Sequence, residues 1–102
     1  MTPEGRVKAR VKRGLKTLPL EYEFWPVQTG LGAATLDCLM CYRGRFIAIE
    51  TKSTGKKLTE RQHITRDRIA AAGGLVYVVN GLDCSGPMEA WRWLNQIKSI
   101  IS

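Results

Sequence analysis

Apolar positions along this chain change their period several times, and each change marks an element. Val7, Val11, Leu15 and Leu18 recur at intervals of three or four, the stripe of an amphipathic helix. Thr2 is placed to cap its start, Pro3 suits the first helical position and Glu4 the positive end of the dipole. Pro19 is expected to close the helix. Tyr22 to Gln28 then reads as a strand, with Pro26 marking it as a sheet edge. Thr29 to Ala34 reads as a glycine-bearing loop. Two further runs, Thr35 to Tyr42 and Arg45 to Lys52, flank Arg43-Gly44, a dipeptide suited to the tight turn of a β-hairpin. Phe46 to Ile49 is apolar throughout, as expected of a central strand covered on both faces.

Residues 53–58 are polar. Thr59-Glu60-Arg61-Gln62 matches a capping box, opening a helix that runs to about Ala72 and stops at Gly73-Gly74. Gln62, Thr65, Ile69 and Ala72 share a stripe on it, so Gln62 is expected to face the sheet near Lys52. His63, the only histidine, falls off that stripe and is read as solvated. Leu75 to Val79 is a buried strand that follows a helix, which favours a parallel crossover onto the central strand. A last helix is expected after Ser85-Gly86-Pro87, with Ala90, Leu94, Ile97 and Ile101 on one face. Trp91 and Trp93 cannot both lie squarely on that face; they suit the core edge or a subunit interface, with the core preferred. The element order is αβββαβα, an α/β protein with a small mixed sheet flanked by helices.

The hairpin concentrates the chemistry. If the turn is centred on Arg43-Gly44, cross-strand partners have numbers summing to a constant, and Asp37 lies opposite Glu50. Opposed side chains sit roughly 4.5–5.5 Å apart at Cβ, where like charges destabilise a sheet. A divalent cation between them removes the objection. Lys52 projects on the same face as Glu50, about 6–7 Å along the strand. A three-residue turn would instead set Asp37 against Ile49 or Thr51. Glu-x-Lys at a strand end also occurs as a simple exposed ion pair. Glu4 continues the helical stripe one turn before Val7; it either satisfies the helix terminus or points into a site that the helix covers.

Size and charge narrow the function. The chain has 102 residues, the size of one domain spanning 1–102, and carries a net charge of +7. Arg6, Lys8, Arg10, Lys12, Arg13 and Lys16 form one basic stretch; Lys52, Lys56, Lys57, Arg61, Arg66 and Arg68 form a second. Such surfaces favour nucleic-acid phosphates over a solvated helix face or an acidic membrane, since no amphipathic surface-binding segment accompanies them. No apolar run approaches 18 residues, so no membrane span is expected, and the charged N-terminus argues against a signal peptide. A soluble, cytoplasmic protein follows, with a bacterial or phage-infected cell as a plausible setting.

Cys38 and Cys41 are three apart on a strand, point to opposite faces and lack further zinc ligands; they are read as reduced, buried hydrophobes. The glycines of residues 29–34 lack the lysine and the following helix of a phosphate-binding loop.

Thr2-Pro3-Glu4-Gly5, Gly30 before Leu36-Asp37, Glu50-Thr51-Lys52 and Thr59-Glu60-Arg61-Gln62, in this order, resemble the PD-(D/E)XK nuclease fold and, more narrowly, a stand-alone VRR-NUC domain. The similarity spans about residues 2–80. Leu36 replaces the proline of the formal motif, and Ala33 and Ala34 stand where related sequences often carry basic residues. The resemblance implies a restriction-endonuclease-like core in which Asp37 and Glu50 bind Mg²⁺ or Mn²⁺, helped by the Thr51 carbonyl, with Glu4 reaching the metal through water. It implies that Lys52 orients or deprotonates the attacking water and stabilises phosphate charge. Gln62 would steady Lys52 or the water. Similarity to archaeal junction resolvases implies a homodimer acting on branched DNA such as four-way (Holliday) junctions.

The expected function is therefore a divalent-metal-dependent endonuclease hydrolysing DNA phosphodiesters. Lys8, Lys12, Arg13, Lys56, Lys57 and Arg61 are the expected DNA contacts, and no small-molecule cofactor is needed. The main alternative is a basic nucleic-acid-binding module that keeps the fold without the chemistry. A sequence-specific restriction enzyme ranks lower for want of a base-reading insertion, and RNA remains a possible substrate.

Overall fold

A computed structural model describes residues 1–27 and 34–101. The Gly-bearing loop expected at 29–34 therefore lies outside the described residues except for Ala34. Helix α1 (Pro3–Leu15) is followed by strands β1 (Tyr22–Phe24), β2 (Cys38–Tyr42) and β3 (Arg45–Thr51). Helix α2 (Glu60–Ala71), strand β4 (Leu75–Val79), two short 3₁₀ turns and helix α3 (Arg92–Lys98) complete the order. The four strands form one sheet in the order β1-β2-β3-β4. The first two pairings are antiparallel and the β3–β4 pairing is parallel, joined through α2. The expected mixed sheet with flanking helices is present. Among the described residues no helix is long and apolar enough to cross a membrane.

Local chemistry sets most boundaries. The Thr2 hydroxyl accepts from the Gly5 N–H at 3.0 Å, capping α1 behind Pro3. Helix α1 ends at Leu15, four residues before Pro19. There Thr17 N–H and hydroxyl both donate to the Gly14 carbonyl, at 3.0 and 2.7 Å, and tighten the chain out of the helix. Helix α2 begins with a complete capping box, Thr59 and Gln62 each bonding the other's backbone. It ends in a Schellman motif: Gly74 N–H donates to Ile69 O at 2.9 Å, Gly73 N–H to Ala70 O at 3.0 Å, and Gly73 has φ +95°.

The hairpin turn is two residues long, with Arg43 at φ +51° and Gly44 at φ +78°, the pattern of a type I′ turn. Register follows: Tyr42 pairs Arg45, Met40 pairs Ile47 and Cys38 pairs Ile49. The alternative three-residue turn is excluded.

Strand β1 is an edge strand but stops at Phe24 rather than Gln28. Pro26 offers no N–H and biases Trp25 away from continuing the ladder.

One face of the sheet carries the core. Val7, Val11 and Leu15 of α1 and Leu94 and Ile97 of α3 pack with Cys38, Met40, Ile47, Ile49 and Val79. Helix α2 lies against the other face and covers it incompletely. Phe46 is 44% exposed, so β3 is not sealed on both sides as its sequence suggested.

The C-terminal segment departs further from expectation. Helix α3 starts only at Arg92, Ala90 is exposed and Ile101 is 86% exposed. Trp91 precedes the helix in extended backbone and so escapes its periodicity. Both tryptophans are thereby buried and stacked, with centroids 6.1 Å apart at 22°. Gly14 makes room for Trp91: a Cβ there would lie 3.2 Å from its ring. Trp91 and Trp93, each 5% exposed, offer no surface of their own for a subunit contact.

Cys38 is buried, and that burial pushes its thiol up to about 12. Cys41 is exposed, which corrects the expectation that both were buried; it lies on the opposite, poorly covered face.

Candidate metal centre

The site forms where the hairpin ladder stops. Regular pairing ends at Cys38–Ile49, and beyond it side chains replace backbone partners. Asp37 N–H donates to Glu50 Oε1 at 3.2 Å. In return, Thr51 N–H and the Thr51 hydroxyl donate to Asp37 Oδ2 at 2.8 and 2.7 Å. This exchange makes β2 shorter than the run Thr35–Tyr42 read from the sequence. It also holds the two carboxylates beside each other, and Asp37 and Glu50 line one cleft.

Lys52 N–H donates to Val79 O at 2.9 Å, so the lysine backbone stays tied to β4. Its Nζ lies 3.8 Å from Glu50 Oε2. Gln62 Nε2 donates to the same Oε2 at 2.9 Å. Gln62 thus reaches Glu50, while its other amide atom, Oε1, accepts from Thr59 N–H at 2.9 Å. One side chain both caps α2 and holds the carboxylate.

Helix α1 supplies the remaining wall. Glu4 and Lys8, one turn apart, line a cleft with Pro26, Val27, Asp37, Glu50 and Gln62. Glu4 therefore points toward the carboxylates as well as serving the helix start.

Burial sets this cluster apart. Among the described residues the buried polar or charged side chains are Asp37, Glu50, Thr51 and Lys52, all between 0% and 8% exposed. Glu50 is pushed up to about 7, first by burial, then by the Asp37 charge, with Lys52 opposing and Glu4 adding a smaller push. Two buried carboxylates, one of them pushed well above its ordinary range, beside a buried lysine are the kind of cluster that concentrates at functional sites.

The donor set fits a hard divalent cation. Among the described residues no three His, Cys, Asp or Glu side chains are close enough to hold a metal unaided. Two carboxylates with a carbonyl and waters suit Mg²⁺, which keeps much of its hydration. The Thr51 carbonyl leaves β3 on the same side as its N–H, toward Asp37.

The expected DNA contacts are distributed unevenly. Lys8 lines the cleft. Lys12, one turn further along α1, lies over the Trp25 ring with Nζ 4.8 Å from its centroid. Arg13, Lys56, Lys57 and Arg61 are exposed, the two lysines in the segment just after Lys52. Arg66 pairs with Asp67 at 3.0 Å, and Arg68 lines a groove with Phe46 and Ile69 rather than the cleft.

Sequence reasoning had not foreseen that Lys8 pairs with Asp37, although its spacing of four from Glu4 carries that signal. Nor had it placed Pro26 and Val27 in the cleft wall, which depends on how β1 leaves the sheet.

Thr51→Val tests the frame directly. It keeps the N–H bond and the shape but removes the hydroxyl bonded to a carboxylate. We expect a loss of about 2 kcal/mol in unfolding free energy by denaturant titration. Unchanged stability would mean that the hydroxyl does not bond Asp37.

No family model matches the chain, and no characterised protein matches it significantly by sequence. Fold and site together define an α/β protein with a buried carboxylate–lysine cluster at the end of a mixed sheet.

Proposed function

We propose that this protein is a divalent-metal-dependent endonuclease of the PD-(D/E)XK type, similar to a stand-alone VRR-NUC domain, that hydrolyses DNA phosphodiesters. The observation that carries the reading is the burial of Asp37 and Glu50 together at a cleft, with the buried Lys52 ammonium 3.8 Å from Glu50, in a protein whose net charge is +7. Binding a polyanion does not require two carboxylates held on one face beneath it. Holding a cation does.

The residues have separable tasks. Thr51 fixes Asp37 through Oδ2, and Gln62 and the Asp37 N–H fix Glu50 through its two oxygens. A cation bound there would polarise a phosphoryl oxygen and lower the pKa of a bound water. Lys52, anchored to β4 and beside Glu50, would orient such a water and stabilise negative charge developing on the phosphate. Glu4, which lines the same cleft, would help to hold the cation through water. Lys12, Arg13, Lys56, Lys57 and Arg61 supply the positive surface along which the backbone lies. The three cysteines are free, in keeping with an intracellular setting.

Structure selectivity for branched DNA and a homodimer rest on the resemblance. A second copy would find exposed apolar area on the sheet face that α2 covers incompletely, where Phe24 and Phe46 are 48% and 44% exposed.

The test is cleavage of an end-labelled four-way junction and a matched linear duplex with Mg²⁺, Mn²⁺ or EDTA. Metal-dependent cutting of the junction alone supports the full reading. Equal cutting of both keeps the chemistry and removes the selectivity. Tight, metal-independent binding without cutting of either, or of matched RNA, would identify a binding module instead.

A further inference from the structure

Two ammonium groups flank the carboxylate pair, and they are not equivalent. Lys52 Nζ stands 3.8 Å from Glu50 Oε2 with its side chain only 10% exposed. Lys8 Nζ stands 3.8 Å from Asp37 Oδ1 with its side chain 38% exposed. Lys52 is fixed on the sheet, whereas Lys8 reaches in from α1 on a long stem with solvent around it. Asp37 Oδ2 is held by two bonds from Thr51, so the oxygen that Lys8 approaches is the other one.

A divalent cation between Asp37 and Glu50 would stand within a few ångströms of the Lys8 ammonium. Like charges at that range repel strongly. Lys52 cannot retreat, but Lys8 can, outward along the cleft that it lines with Glu4 and Gln62. That cleft is where a phosphate of the substrate backbone would enter.

We propose that Lys8 is an internal competitor of the metal, exchanging Asp37 for a DNA phosphate when the cation binds. The inference rests on the metal-nuclease reading and deepens it: Lys8 couples metal binding to substrate binding. Coupling of this kind is reciprocal, so DNA that draws Lys8 away from Asp37 also tightens the metal.

The experiment is calorimetric titration of Mn²⁺ into the free protein, with Lys8→Met and Lys16→Met variants and Asp37→Asn as a site control. DNA affinity is measured in parallel by fluorescence anisotropy in Ca²⁺ and in EDTA. Lys16→Met removes the same charge about 12 Å further along the helix, so it reports the general field alone. Lys8→Met should bind Mn²⁺ about threefold to fivefold tighter than wild type, the scale of a half-exposed ion pair. Lys16→Met should match wild type, and the gain in DNA affinity brought by Ca²⁺ should shrink in Lys8→Met.

Weaker or unchanged Mn²⁺ binding in Lys8→Met would overturn the proposal, as would equal tightening in Lys16→Met. An undiminished Ca²⁺ effect on DNA affinity in Lys8→Met would overturn it too. In those cases wild-type binding that is lost in Asp37→Asn leaves the metal-nuclease reading standing. A wild type that binds no Mn²⁺ removes both.

Discussion

Replacing Lys52 with alanine should lower single-turnover cleavage by about 10²- to 10⁴-fold, the range for loss of a positioned proton-transfer or charge-stabilising group. DNA affinity, measured in Ca²⁺, should stay within about twofold, because a side chain only 10% exposed adds little to the surface field met by DNA. The variant also has a second effect that must be separated from the first. The Lys52 ammonium is the main charge opposing the upward push on Glu50. Without it, Glu50 holds its proton to higher pH, and cleavage at pH 7 would fall even if Lys52 never touched the phosphate. The pH profile distinguishes the two. If the lysine acts on the water or phosphate, the variant stays slow up to pH 9. Recovery to wild-type rate at pH 9 would show that Lys52 serves only to keep Glu50 ionised. Cleavage undiminished at all pH values would place the chemistry elsewhere, and joint loss of DNA binding and thermal stability would indicate a damaged fold.

Most of this site was readable because it is carried by local chain geometry. A two-residue turn at Arg43-Gly44 fixes every cross-strand partner. Asp37 and Glu50 are therefore brought together by thirteen residues of sequence rather than by the whole fold. Gln62 was readable for a related reason, since the capping box that starts α2 also aims it at the sheet. Features that depend on distant packing were not readable. Trp91 is buried because the helix starts after it and its ring packs over Gly14, 77 positions earlier in the chain. Cys41 is exposed because α2 covers only part of its sheet face, which neither helix nor strand periodicity reveals. Gln62 is expected near Lys52, to steady it or the water; it lies there, but the group it bonds is the Glu50 oxygen that Lys52 also approaches. Alternation places Glu50 and Lys52 on one face but does not say which atom a long amide bonds.

Glu50 makes the folded protein's stability depend on pH in a direction opposite to that of an ordinary salt-bridged carboxylate. Its value rises from 4.5 to about 7 on folding, through burial first and the Asp37 charge second. The native state therefore binds this proton more tightly than the unfolded state. The favourable contribution is complete below about pH 4.5, declines as pH rises, and is gone above about pH 7. A shift of that size corresponds to on the order of 3 kcal/mol.

Other carboxylates titrate over part of the same range, so the quantity to measure is a difference. The unfolding free energy of Glu50→Gln minus that of wild type, without metal, should grow by on the order of 3 kcal/mol from pH 4 to pH 8. The glutamine cannot satisfy both the Asp37 N–H and the Gln62 amide as acceptor, which costs about 1 kcal/mol at every pH. That cost offsets the curve without changing its slope. Adding Mg²⁺ or Mn²⁺ at pH 8 should stabilise wild type and leave Glu50→Gln nearly unmoved, because the cation neutralises the repulsion that the proton relieves at low pH. Metal affinity should accordingly rise as pH increases and level off above about pH 7, since proton and metal compete for one carboxylate. A difference that stays flat with pH, or runs the other way, would mean that Glu50 is already ionised at little cost in the folded protein. The buried carboxylate pair would then need no cation to explain it.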